Sequence, residues 1–209
     1  NKRFKLIDLD LSDVHSIHNA ITEYSPSYFI NFAAQSFVGA SWSFPQQTFD
    51  VNATAVLHIL ECLRKYAPKC RLYNAGSSEE FGNIEYIPQD EKHPCNPRNP
   101  YAVSKCSARQ FIKIYRESFN MFAIQCWLFN HESPRRGIEF VTRKITNGVA
   151  KIHLAYKNKT PIEPITLGNL AAQRDWTDAR DCVRLIWDIL NLRKPKEYVI
   201  GSGTSHTIK

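Results

Sequence analysis

The run Phe122-Ala123-Ile124-Gln125-Cys126-Trp127-Leu128-Phe129 is apolar at almost every position. A strand of this composition has no polar face to offer water, so it belongs inside a sheet that is covered on both sides. Such sheets are parallel and need helical crossovers, and the rest of the chain supplies them. Residues 4–7 read as a strand ending at Asp8-Leu9-Asp10, and Ser12 and Asp13 cap a helix that runs to about Tyr24 before Pro26. A second strand is expected over 28–32, a helix over 54–66, and a third strand over 70–74. The turn at 75–78 follows, then a polar, Pro-rich loop over 82–100 and a helix from Tyr101 to about Asn120. Beyond the buried strand, helices are expected over 140–154 and 183–192, with short strands at 165–167 and 198–200. A polar loop should fill 156–164. The fold class is therefore α/β, a doubly wound parallel sheet, in which ligands bind beyond the carboxyl ends of the strands.

Four segments follow such strand ends: Asp10, the Ala33-Ala34-Gln35 turn, Ser77 to Glu79, and Asn130-His131. After the third of these comes Pro100-Tyr101-Ala102-Val103-Ser104-Lys105. Tyr101 and Lys105 stand four apart, so a helix places them on one face. An ammonium beside a phenol favours the phenolate, which can then act as a base. Ser77 and Glu79 upstream add a hydroxyl and a carboxylate suited to an alcohol-oxidising site. Read alone, the Tyr-x-x-x-Lys spacing is a weak signal, since it is common on solvated helix faces.

The chain has 27 Lys and Arg against 20 Asp and Glu, a formal charge of +7, which fits anionic ligands such as nucleotides. The basic residues are dispersed, and Arg135-Arg136 and Arg143-Lys144 are too short to form a nucleic-acid arm, so no nucleic acid is expected. No apolar run reaches the length of a membrane span, and the polar start Asn1-Lys2-Arg3 is no signal peptide, so neither a membrane nor export is expected. Six cysteines with irregular spacing and no C-x-x-C read as reduced, mostly buried thiols of a cytoplasmic protein, with no metal. None of the eight glycines builds the glycine-rich turn that opens a dinucleotide site. The expectation is a fragment trimmed at both ends. It lacks the first strand and its turn, and it stops at Thr207-Ile208-Lys209 where another helix would start.

Phe129-Asn130-His131-Glu132-Ser133-Pro134-Arg135-Arg136-Gly137, with Phe140-Val141-Thr142-Arg143-Lys144-Ile145 after it, resembles the signature of GDP-mannose 4,6-dehydratases. These belong to the extended short-chain dehydrogenase/reductases that act on nucleotide sugars. Leu167-Gly168-Asn169-Leu170 with Arg174-Asp175-Trp176, Ala33-Ala34-Gln35-Ser36 and Ser77-Ser78-Glu79 are similar to the same family, in order, over nearly the whole chain. The resemblance implies an incomplete Rossmann-like NADP-binding domain over 1–130. It also implies part of a small nucleotide-sugar-binding domain over 131–209, interleaved with the first.

By that resemblance Tyr101 is the general base and Lys105 its partner on the nicotinamide ribose. Ser77 stands in place of a usual threonine and bonds the 4-oxygen of the sugar, and Glu79 carries out the elimination. Asp10, Leu11, Phe32, Ala33, Ala34, Gln35, Ser36, Lys105, His131 and Arg136 would hold NADP, or NAD. Asn130, Lys144 and Arg174 would hold GDP-mannose. A homo-oligomer, dimer or tetramer, is implied. The departures are Gln47 for a tyrosine, Phe37 for a histidine, Glu80-Phe81 for Leu-Tyr, and a longer 156–164 loop. A related nucleotide-sugar dehydratase, reductase or epimerase shares most of these features, and a non-catalytic truncated chain is a further alternative.

Overall fold

The computed structural model describes residues 4–209, so the polar start Asn1-Lys2-Arg3 lies outside the described residues. The elements are α1 (Val14–Tyr24), β1 (Tyr28–Asn31), α2 (Val38–Ser43), α3 (Pro45–Phe49), α4 (Ala55–Tyr66), β2 (Arg71–Ala75), α5 (Pro100–Phe119) and β3 (Ala123–Leu128). After them come β4 (Asn130–Glu132), α6 (Val141–Asn158), β5 (Gln173–Asp178), α7 (Ala179–Leu190), β6 (Val199–Ile200) and β7 (Ser205–Thr207). By internal contacts the chain divides into two compact units. The first holds the chain up to Leu128 together with Leu185–Ile200; the second holds Phe129–Arg184 and Gly201–Lys209.

In the first unit β1, β2, β3 and β6 form a parallel sheet in that order. Every residue of β3 is buried, as its apolar run requires. Ile17 and Ile21 of α1, Val56, Ile59, Leu60 and Leu63 of α4, and Ala108 and Ile112 of α5 pack on the face that carries Leu72 and Ala123. Each such fully buried Leu or Ile contributes about 1.5–3 kcal/mol of transfer free energy. Asp13 caps α1, accepting from the N–H of His15, and Ser25 ends it in the left-handed region before Pro26. On the opposite face the ring of Tyr28 meets Trp187, and its hydroxyl donates to Asn191 at 2.7 Å.

Between α3 and α4 the helix widens into one π-turn, Asp50–Thr54, which holds Asn52 and Ala53 in the interior. The sequence pattern left α2 and α3 unassigned. Residues 4–7 are no strand: they join no ladder among the described residues, Phe4 is 73% and Leu6 83% exposed, and Lys5 pairs with Glu23 of α1. Apolar composition alone does not make a strand when no neighbour supplies the ladder.

In the second unit β4 pairs in parallel with β5, and β5 pairs antiparallel with β7. These strands are mostly polar, and they are half-exposed in β4 and much of β5 and fully exposed in β7, which hides them from a reading based on apolar runs. Residues 165–167 are not a strand. The Ile165 side chain packs on Gly148 of α6, so its apolar surface is covered by a helix instead of a ladder. Helix α6 reaches Asn158 and ends on Lys159 at φ 55°, so the expected 156–164 loop starts as helix. The end of the chain forms β7, where a helix start was expected. No described helix is long and apolar enough to cross a membrane.

Candidate active site

Strand β2 ends at Ala75, and the chain turns through Gly76 into a short 3-10 turn over Ser78–Glu80. Gly76 is required by a close approach: a Cβ there would lie 2.3 Å from the carbonyl oxygen of Cys126. Ser77 caps the turn, its Oγ accepting from the Glu79 N–H at 3.2 Å, while its own N–H donates to Glu80 Oε1 at 2.8 Å. Two adjacent glutamates therefore part company. Glu80 is fully buried, whereas Glu79 is half-buried and accepts from Asn99 Nδ2 at 3.2 Å.

Asn99 is also the N-cap of α5, with Oδ1 accepting from the Ala102 N–H at 2.8 Å and Pro100 in the first turn. Tyr101 and Lys105 follow on one face of that helix and are 8% and 4% exposed. Lys105 Nζ lies 5.9 Å from the centre of the Tyr101 ring and donates to the Ala75 carbonyl at 2.9 Å. Burial of the ammonium pushes Lys105 down to about 8, against a smaller opposing pull from Glu80. Ser77, Glu79, Tyr101 and Lys105 are thus tied to one frame, the end of β2 and the start of α5.

What holds that frame is a row of polar side chains on the helix-covered face of the sheet. Asn31, Asn74 and Gln125 are neighbours in register on β1, β2 and β3. Asn31 Nδ2 donates to Asn74 Oδ1, and Asn74 Nδ2 to Gln125 Oε1, both at 2.7 Å. Gln125 Nε2 then donates to Glu80 Oε1 at 3.1 Å and to the Lys105 carbonyl at 2.9 Å. Glu80 closes the row against Arg109, 2.6 Å from Nε and 3.2 Å from Nη2.

A second bridge is Asn52, placed by the π-turn. It accepts from the Gln35 N–H at 2.9 Å, donates to the Gln35 carbonyl at 3.0 Å, and donates to Ser104 Oγ at 3.1 Å. The Ala33-Ala34-Gln35 turn is thereby fixed to α5. That turn, with Asp8, Leu9, Asp10, Leu11 and Val51, lines a cavity of about 530 Å³. Gln35 Oε1 is buried there without a hydrogen-bond partner. Asp10 accepts from the N–H and the hydroxyl of Ser12 at 2.8 and 2.7 Å, contacts that hold its carboxyl below the usual range. Leu11 is buried, and Phe32 and Ser36 are exposed.

The remaining residues singled out in the sequence lie in the second unit. His131 is half-buried on β4, with Nδ1 3.1 Å from the Phe129 carbonyl. Arg136 lies 3.4 Å from Glu132 and stacks its guanidinium 3.5 Å from the centre of the Phe140 ring. The Asn130 carbonyl accepts from Thr177 at 3.2 Å, and Lys144 is exposed on α6. Arg174 is exposed and donates to the Gln173 carbonyl, and Asp178 pairs with Arg180 at 2.6 Å. Asp175, beside Arg174, is buried and accepts from Ser202 Oγ at 2.7 Å and from the N–H groups of Ser202 and Gly203.

A protein-family model described as GDP-mannose 4,6 dehydratase matches residues 1–209. The chain belongs to this family. It is 43% identical over 204 residues to GDP-mannose 4,6 dehydratase 1 of Arabidopsis thaliana, covering 96% of this chain and 55% of that protein. It is 41% identical over 211 residues to the GDP-mannose 4,6-dehydratase of Yersinia enterocolitica, covering 100% of this chain and 55% of that protein. The chain thus spans about half the length of the curated relatives it matches. Among solved structures it resembles RMD from Pseudomonas aeruginosa complexed with NADPH, with a TM-score of 0.85 at 23% identity. That likeness covers 97% of this chain and 67% of the other and shows a shared Rossmann-type fold.

Sequence reasoning on this dehydratase-family chain missed Asn31, Asn52, Asn74, Asn99 and the Glu80–Arg109 pair. Their signal was present in part. Asn31 and Asn74 near the ends of their strands, and Gln125 in the middle of an apolar run, are polar residues in strand positions where a buried amide must find partners.

Proposed function

We propose that the chain carries the catalytic frame of an NADP-dependent GDP-mannose 4,6-dehydratase, which forms the 4-keto-6-deoxy sugar nucleotide. The observation that carries this reading is the tether from Asn99 to Glu79, which fixes a carboxylate to the cap of the helix bearing Tyr101 and Lys105. A reductase needs a base at the 4-hydroxyl and no carboxylate at C5; a dehydratase needs both.

The cavity beside Gln35 suits one end of a dinucleotide, since an unpartnered buried acceptor calls for a donor and Asp10 and Leu11 offer polar and apolar wall. Asp10, Leu11, Phe32, Ala33, Ala34, Gln35, Ser36, Lys105, His131 and Arg136 would hold the cofactor, NADP with NAD as the alternative. A bound nicotinamide would supply the hydride acceptor for C4 and the hydride donor for C6. Tyr101, as the phenolate that the buried Lys105 ammonium favours, takes the proton of the 4-hydroxyl and becomes the phenol. Ser77 Oγ accepts from the Glu79 N–H and has its O–H left to donate a hydrogen bond to the 4-oxygen. Once C4 is a ketone the C5 proton is acidic; Glu79 removes it and water leaves from C6. Asn130, Lys144 and Arg174 bind the nucleotide sugar. The assembly is a homo-oligomer, dimer or tetramer. A cytoplasmic setting agrees with six unpaired cysteines.

The test is the full-length protein with GDP-mannose and NADP, followed by its Glu79→Gln variant. The wild type should yield the 4-keto-6-deoxy product, and the variant should lose elimination by about 10²–10⁴-fold. Elimination at near-normal rate in the variant would refute the role of Glu79.

A further inference from the structure

Cys95 and Cys106 are the only two of the six cysteines that are not buried. Cys95 lies in the loop between Glu80 and α5, one residue before Asn96, whose N–H donates to the Phe81 carbonyl at 3.2 Å. Cys106 follows Lys105 on α5, and its thiol lies 3.7 Å from the Glu80 carbonyl. The two sulfurs and a Glu80 carboxylate oxygen all lie within 4.8 Å of one another. It is the one such group of potential metal ligands among the described residues. Its carboxylate is already spent on Arg109, Gln125 and the Ser77 N–H, so a cation would have to displace a buried guanidinium. Two facing thiols remain.

We propose that Cys95 and Cys106 are a redox-active dithiol that closes to a disulfide by exchange with a small-molecule disulfide of the glutathione type. The Cys95 thiolate attacks one sulfur of that disulfide, forming a mixed disulfide and releasing one small thiolate. Cys106 loses its proton to solvent and attacks the Cys95 sulfur, releasing the second. The protein gives up two electrons and two protons, and the small disulfide becomes two thiols. A bond of about 2.05 Å needs a further approach of under about 3 Å from the present contact. The hydrogen bond from Cys106 pulls the Cys95 thiol down to about 7, which suits it as the first attacking partner; the same contact pushes Cys106 well up, so Cys106 attacks second, once the mixed disulfide has removed the Cys95 thiolate beside it. The bond would clip the loop to the helix one residue past Lys105.

The experiment equilibrates the reduced full-length protein in reduced and oxidised glutathione, quenches with acid, alkylates, and maps the cysteines by mass spectrometry. Wild type should show a Cys95–Cys106 disulfide, with Cys62, Cys70, Cys126 and Cys182 alkylated only after denaturation. In Cys106→Ala the glutathione adduct should accumulate on Cys95, because no thiol remains to resolve it. In native wild type, iodoacetamide should label Cys95 roughly tenfold or more faster than the four buried cysteines. Cys95→Ser should leave Cys106 slow, and this variant decides the matter if Cys106→Ala does not fold. A wild type that stops at the Cys95 adduct, a Cys95 that pairs elsewhere, or labelling no faster than at the buried sites would overturn the proposal.

Discussion

Replacing Glu80 by Gln removes one charge from the interior and changes almost no volume. The carboxylate is fully buried and accepts from Arg109 through two nitrogens, from Gln125 and from the Ser77 N–H. An amide keeps an oxygen for Ser77 and Gln125, but its NH₂ then faces the Arg109 Nε–H, donor against donor. Arg109, 4% exposed, is left with Glu197 at 3.4 Å as its remaining anion within reach. Breaking a buried pair by removing one partner costs about 3–5 kcal/mol, and the residual Glu197 contact places this case near 3 kcal/mol. For a chain of this size that is a fall in Tm of about 6–12 °C. Urea unfolding of wild type, Glu80→Gln, Arg109→Met and the double variant measures both the cost and the coupling. The double variant should be less destabilised than the sum of the singles by about 1–3 kcal/mol. A Glu80→Gln protein within about 0.5 kcal/mol of wild type, or strict additivity, would refute the closed pair as the support of the Ser77 turn.

Asn99→Ala should lower stability by about 1 kcal/mol through the lost cap of α5 and also slow elimination, because Glu79 loses its tether. Unchanged turnover alongside lower stability would separate the two roles of Asn99. Lys105 has a native pKa of about 8 against 10.5 in its ordinary state. Above pH about 8 the unfolded chain therefore binds the proton that the native one has released, and stability contributed by this site rises with pH up to about 10.5. Below pH about 8 both states are protonated, and the burial cost is constant. Urea midpoints at about pH 7 and about pH 9.5 should show wild type gaining on Lys105→Met, and a difference flat with pH would contradict a buried ammonium.

The site was legible where chemistry is written in residue type and spacing. Tyr101 and Lys105 four apart after a proline, and Ser77 and Glu79 after a strand, needed no coordinates to be singled out. Glu80 stands in the sequence only as a departure from the usual Leu, because nothing in the letters separates its role from that of Glu79. Only the fold buries one against Arg109 and leaves the other on Asn99. The second unit was read least well, because Asn130-His131-Glu132 and the run from Gln173 to Asp178 are short, polar and without alternation. Their pairing comes from partners distant in sequence, which no local window contains.

The sequence by itself determined the covered parallel sheet, since the apolar run of β3 has no other stable place, and the register of Tyr101 to Lys105, since helix geometry is local. Tertiary structure alone decided the polar row from Asn31 through Asn74 and Gln125 to Glu80. It also decided the π-turn that aims Asn52, the burial of Lys105, and the meeting of Cys95 with Cys106. Each of these depends on desolvation and on contacts between distant segments, and both exist only once the chain has closed on itself.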